Sequence, residues 1–220
     1  NNFSIKPKSN PLHSGLLKKI FKKINEFFGF RLSIKIVRTK KYESDEFRSF
    51  QTHKDIINFR NKKISNIIVN FFLHFKIHAT KIEIINNINE FEKIFFESPV
   101  KDLSSGYGFN EGLILFCILK KINPTQVIES GVMRGFTTYI IDKATDKNCK
   151  IYCYDINFDN LYFTSSKATY YNHDISNKFP KFKNEKIFAL WDDHTSHLER
   201  LKFSLKHKIK YNVFDDDLSF

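Results

Sequence analysis

Several acidic residues of this chain stand at the ends of apolar runs. Val127-Ile128-Glu129 runs into Ser130-Gly131, Ile151 to Tyr154 ends at Asp155, Phe188 to Trp191 runs into Asp192-Asp193-His194, and Tyr211 to Phe214 runs into Asp215-Asp216-Asp217. The richest stretch is Val127 to Thr138, where the acid Glu129 is followed by Gly131 and Gly135, four residues apart, and then by a helix start. Glycines at such a turn let a ligand approach the backbone, and the free N–H groups of the following helix carry partial positive charge. A dinucleotide fingerprint would need G-x-G-x-x-G, and a phosphate loop would need Gly-Lys-Ser/Thr; neither occurs. An acid directly before the turn repels pyrophosphate and suits a cationic ligand. A tight strand-to-helix turn that binds nothing would use the same glycines.

These residues need a scaffold, and the pattern supplies one. Helices are expected over 110–122, 136–143 and 197–208, the last with Leu198, Leu201 and Leu205 in helical register. Short apolar strands are expected over 126–129, 151–154, 168–171, 186–191 and 211–214. Strands alternating with helices imply βαβ units, hence an α/β, Rossmann-like, doubly wound and mostly parallel sheet. In such a sheet ligands sit outside the carboxyl ends of the strands, so the acidic strand ends should face one crevice. Asp155, 24 residues after Gly131, stands about where an acid of this architecture meets the ribose hydroxyls of a nucleoside.

The segment Glu129-Ser-Gly131-Val-Met-Arg-Gly135, with Asp155 beyond it, resembles the class I S-adenosylmethionine-dependent methyltransferases. The resemblance covers about residues 104–220. It implies that Glu129, Gly131 and Gly135 cradle the methionine part of S-adenosylmethionine, that Asp155 holds the ribose, and that Asp174 lies against the adenine; Asp174 would equally serve as a helix cap. The acidic ends of the fourth and fifth strands are similar to those of small-molecule and sugar O-methyltransferases, which hold Mg²⁺ there on hard oxygen ligands. The implied metal ligands are Asp192, Asp215 and Asp216; the usual Asp-Gly-Asp-His form is replaced here by Trp191-Asp-Asp-His194, which leaves Asp192, Asp193 or neither as the ligand of that segment, and aspartates also end strands as ordinary turn formers. His194, with Asp193, is the candidate catalytic pair, because an alcohol attacking a sulfonium methyl needs a proton acceptor with a pKa near neutrality. A hydrogen-bonded histidine at a helix start is the alternative. A complete fold of this family carries two further strands after the fifth, so the resemblance implies a sheet lacking its last two strands within this sequence.

The remaining residues bound the setting. With 41% hydrophobic and 16% aromatic residues the 220-residue chain can form a real core. Its net charge of +12 is concentrated: residues 1–41 hold eleven Lys or Arg against Glu26 alone, leaving only +2 for the rest. Residues 16–28 place Leu16, Leu17, Ile20, Phe21, Ile24, Phe27 and Phe28 on one helical face and Lys18, Lys19, Lys22 and Lys23 on the other. Such a helix either docks on an anionic membrane surface or packs as an ordinary surface helix. A strand over 31–38, a polar linker over 40–52 and two or three helices over 54–97 complete a basic, mainly helical region of residues 1–100, ahead of a Rossmann-like domain of residues 101–220. That first region would act as a cap, a dimerisation element giving a homo-oligomer, or a membrane arm.

Cys117, Cys149 and Cys153 form neither a disulfide framework nor a metal pattern, which points to a reducing, cytoplasmic setting, peripheral to a membrane if the arm docks. The chain begins with Asn1 rather than Met, leaving room for a preceding segment. Nucleic acid is disfavoured, since the basic region lacks interleaved aromatic platforms and the expected crevice is acidic. The expected activity is methyl transfer to an oxygen of a small-molecule acceptor, with nitrogen acceptors open. Its rivals are another Rossmann-type nucleotide-dependent enzyme and a non-catalytic membrane-surface or protein-binding module.

Overall fold

The computed structural model describes residues 53–103, 106–179 and 186–215. All the described residues belong to one compact unit of the chain, residues 48–220. The expected helix over 16–28, the strand over 31–38 and the linker over 40–52 lie outside the described residues, as do Asp216 and Asp217.

Among the described residues two long helices come first. They are α1 (His53–His74) and α2 (Lys81–Glu97). A capping box starts α2: the Thr80 hydroxyl accepts from the Glu83 amide, and the Glu83 carboxylate accepts from the Thr80 amide. Then come α3 (Phe109–Ile122), β1 (Gln126–Ser130), α4 (Phe136–Ala144), β2 (Lys150–Tyr154), β3 (Ala168–Tyr171), β4 (Ile187–Trp191), α5 (His197–Lys206) and β5 (Tyr211–Phe214). Asn123 closes α3 in the left-handed conformation at φ 47°, and Pro124 behind it cannot continue the helix.

All strand pairs among the described residues are parallel, in the order β3-β2-β1-β4-β5. This is the doubly wound, Rossmann-like arrangement expected from the alternating pattern. The central strands β1 and β4 are buried at every residue; β4 accordingly reads as an unbroken apolar run, whereas β1 also buries the polar Gln126, Glu129 and Ser130. Helices α2, α3 and α4 cover one face. They meet at Gly112, where a methyl group would lie 2.9 Å from both Ile140 Cδ1 and Phe91 Cζ. On the other face Ile128, Tyr154, Ile187, Ala189 and Trp191 form a core with Ile175 and Ile209, against which Phe203 of α5 packs.

Helix α5 departs from the sequence expectation. Leu198, Leu201 and Leu205, which mark an apolar stripe by spacing, are 58%, 42% and 70% exposed, whereas Arg200 and Ser204 are buried. The helix turns toward the sheet the groups that have polar partners there. The Ser204 hydroxyl donates to Asn212 Oδ1 at 2.7 Å, and Arg200 meets two carboxylates.

Candidate functional site

Strand order reverses between β1 and β4, and the carboxyl ends of the strands open there into a cleft of about 520 Å³. That volume lies in the range of small-molecule sites. Its walls come from Ser130–Met133 after β1, Tyr154–Asn157 and Asn160 after β2, His173 and Asp174 after β3, and Asp192–Thr195 after β4.

The glycine turn is built as the sequence requires. Gly131 has φ +90°, and a Cβ on it would lie 1.9 Å from the Asp192 carbonyl oxygen, so the ends of β1 and β4 approach only through a glycine. Its amide donates to the Tyr154 carbonyl at 2.9 Å, and the Asp192 amide donates to the Ser130 carbonyl at 2.8 Å. Gly135, at φ +83°, caps α4, and a Cβ there would meet the Phe163 carbonyl oxygen at 2.6 Å.

Asp155 faces the cleft and also secures the turn. Its Oδ2 accepts from the Val132 and Met133 amides at 2.8 and 2.9 Å, and its Oδ1 accepts from the Asn157 amide at 3.0 Å. A carboxylate offers about four lone pairs, so one remains, on Oδ1, for a ligand hydroxyl.

Glu129 is placed elsewhere. It is fully buried behind the turn and does not line the cleft; the cleft is lined instead by its neighbour Ser130. Its carboxylate accepts from the Thr137 hydroxyl at 2.5 Å, the Thr138 hydroxyl at 2.6 Å and the Cys153 thiol at 3.3 Å. Burial pushes its pKa up to about 7 against those three donors, and the charge of Asp155 adds to the rise. Glu129 therefore pins the first turn of α4 to β1 and β2.

The acids after β3 and β4 are paired. Asp174 bonds both guanidinium nitrogens of Arg200 and caps the following turn by accepting from the Ser176 amide at 2.8 Å. Burial opposes its ionisation, but the bonds from Arg200 and Ser176 outweigh it and hold its pKa at about 2. Asp193 accepts from the Ser130 hydroxyl at 2.5 Å, from Arg200 at 2.7 Å and from the Thr195 amide at 3.1 Å. His194 is exposed on the cleft wall with φ 55°. Asp192 also lines a smaller cavity beside Tyr107, whose hydroxyl is pushed up by burial and then by the charges of Asp215 and Asp192.

Pairing of Trp191 with Phe214 sets Asp192 and Asp215 side by side past their strands, where the Asp215 amide donates to the Trp191 carbonyl at 2.9 Å. Among the described residues no group of three His, Cys, Asp or Glu side chains is arranged to hold a metal ion, and Asp216 lies outside them. Two of the three expected Mg²⁺ ligands, Asp192 and Asp215, thus stand at neighbouring strand ends, and the third lies outside the described residues.

No protein-family model and no curated protein matches the chain. Solved structures do align with it. CmcI with SAH aligns at 15% identity and a TM-score of 0.40, over 50% of this chain and 61% of that one. The O-methyltransferase TomG from Streptomyces achromogenes, involved in tomaymycin synthesis and in complex with SAM, aligns at 11% and 0.43, over 70% and 74%. Coclaurine N-methyltransferase bound to N-methylheliamine and SAH aligns at 16% and 0.34, over 74% and 57%. The chain spans about three fifths of the length of CmcI.

The structure thus brings Gly131, Asp155, Asp174, Asp192, Asp193 and His194 to one cleft and leaves Glu129 behind it. Gly135 shapes the helix entry, and Asp215 follows β5 beside Asp192. Ser130, Thr195 and Arg200 were not expected. Ser130 and Thr195 sit inside the motifs already singled out, while Arg200 is hidden in a helix whose leucine spacing points the other way. Among the described residues no helix is long and apolar enough to cross a membrane.

Proposed function

We propose that the sheet-bearing part of this chain binds S-adenosylmethionine in the cleft and directs its methyl group to an oxygen of a small molecule or sugar. The observation that carries this reading is the placement of Asp155 and the Gly131 turn side by side at the point where strand order reverses. A nucleoside fits there, with its ribose toward Asp155 Oδ1. The acids of the lining, Asp155, Asp174, Asp192 and Asp193, with Arg200 behind two of them, suit a cationic ligand and disfavour a pyrophosphate.

When bound, S-adenosylmethionine supplies a sulfonium methyl as electrophile. The protein's part is alignment: the strand-end turns fix the nucleoside and hold the acceptor oxygen in line behind the methyl carbon. His194, exposed on the cleft wall, takes the proton released by the acceptor hydroxyl. Asp193, which accepts from Ser130, Thr195 and Arg200, orients the wall beside it.

A panel of S-adenosylmethionine, S-adenosylhomocysteine, NAD⁺ and a uridine diphosphate sugar, read by thermal shift on the full chain, tests the proposal. Stabilisation by the two S-adenosyl compounds alone supports it. Stabilisation by NAD⁺ or the nucleotide sugar moves the chain to another class of nucleotide-dependent enzyme, and response to none of them favours a binding module.

A further inference from the structure

Arg200 is 3% exposed and stands behind the cleft wall, yet its guanidinium joins three separate segments of that wall. On one side it grips Asp174, after β3, with both terminal nitrogens. On the other, Nη2 reaches Asp193 at 2.7 Å and the Thr195 hydroxyl at 3.1 Å, both after β4. Asp193 passes the link to the end of β1 through the Ser130 hydroxyl. Below, the guanidinium carbon lies 5.6 Å from the centre of the Trp191 ring. One cation thus holds two carboxylates: Nη2 meets both, and Nη1 adds a longer bond to Asp174 at 3.4 Å that the single nitrogen of a lysine could not also supply.

The lone pairs of Asp174 are nearly all taken. Oδ1 accepts from the Ser176 amide, the Ser176 hydroxyl and Arg200 Nη1, and Oδ2 accepts from Arg200 Nη2. Only one lone pair, on Oδ2, is left, and Arg200 already occupies that oxygen's other one. We infer that Arg200 is a positioning residue which locks the turns after β3 and β4 together, and that Asp174 serves a bound nucleoside by anchoring Arg200 and not by reading the base. This rests on the proposed use of the cleft for a nucleoside cofactor.

The test uses the full chain and two probes, S-adenosylhomocysteine and S-inosylhomocysteine, in which a carbonyl replaces the adenine amino group. Dissociation constants are measured for wild type, Asp174→Asn, Arg200→Lys, Arg200→Met and the Asp174→Asn/Arg200→Met pair. Each single change should weaken both probes by about tenfold, as expected for loss of a charged hydrogen bond. Lysine should not rescue, the double variant should bind no worse than the poorer single one, and the ratio between the two probes should stay at its wild-type value throughout. Collapse of that ratio in Asp174→Asn alone, or losses that multiply in the double variant, would overturn the assignment. If Arg200→Met does not fold, Asp174→Asn against Asp193→Asn carries the same test, since each removes one carboxylate from the same guanidinium; an unchanged ratio in both supports the role. A wild-type chain that binds neither probe overturns the cofactor reading itself, a result distinct from binding with a collapsed ratio.

Discussion

Replacing Glu129 by Gln should change how stability depends on pH, and the direction follows from burial. The carboxyl has no solvent contact and is surrounded by the Thr137 and Thr138 hydroxyls and the Cys153 thiol, with Asp155 as the nearby charge that raises it further. Its pKa rises from an ordinary 4.5 to about 7, so the folded chain holds this proton more tightly than the unfolded chain does. The resulting stability is fully present below the unfolded pKa and is lost as pH rises through about 7. A rise of that size corresponds to about 3 kcal/mol. Gln cannot ionise, and its amide keeps the shape of the protonated acid. Urea unfolding of both proteins at pH 5 and pH 8 should therefore show the stability difference moving in favour of Glu129→Gln by about 2.5 kcal/mol as pH rises. Other titrating groups cancel in that difference. A constant offset, or a shift in favour of wild type at high pH, would show that the three donors and the N-terminus of α4 outweigh desolvation, and would refute the reasoning.

Two further outcomes follow from close packing. Gly131→Ala places a methyl 1.9 Å from the Asp192 carbonyl oxygen at a φ of +90°, and thermal unfolding should show a loss of at least about 3 kcal/mol or a failure to fold; a near-neutral variant would mean that the ends of β1 and β4 are not so close. Gly112→Val wedges a side chain between Ile140 and Phe91 and should cost about 1–3 kcal/mol while leaving cofactor affinity, measured on the folded variant, within about twofold of wild type.

The sheet was legible because a strand buried on both faces must be apolar along its whole length. Ile187–Trp191 is of this kind, Gln126–Ser130 keeps an apolar centre at Val127 and Ile128, and even the short Ala168–Tyr171 and Tyr211–Phe214 were placed with the bounds the structure gives them. The glycine turn was legible for a related reason, since positive φ and backbone contact leave few choices of residue. Direction along a strand was harder. Glu129 was read as facing a ligand, yet alternation points it at α4 and leaves Ser130 to the cleft. Arg200 was not legible at all. Its partner Asp174 lies 26 residues away on another turn, and only the folded sheet brings them together, so the leucine spacing of α5 suggested the opposite face. A local pattern reports which residues would prefer burial, whereas the choice of face went to the groups with buried partners to satisfy.

Isothermal titration of the chain with S-adenosylhomocysteine, repeated on Asp155→Ala, tests the central claim most directly. Asp155 offers its remaining lone pair to the cleft and holds the Val132 and Met133 amides of the turn. The account predicts micromolar binding by the wild-type chain and at least about a hundredfold loss in Asp155→Ala, the sum of a missing ribose contact and a loosened turn. A folded wild-type chain that shows no heat of binding, or a variant that binds as tightly as wild type, would contradict it.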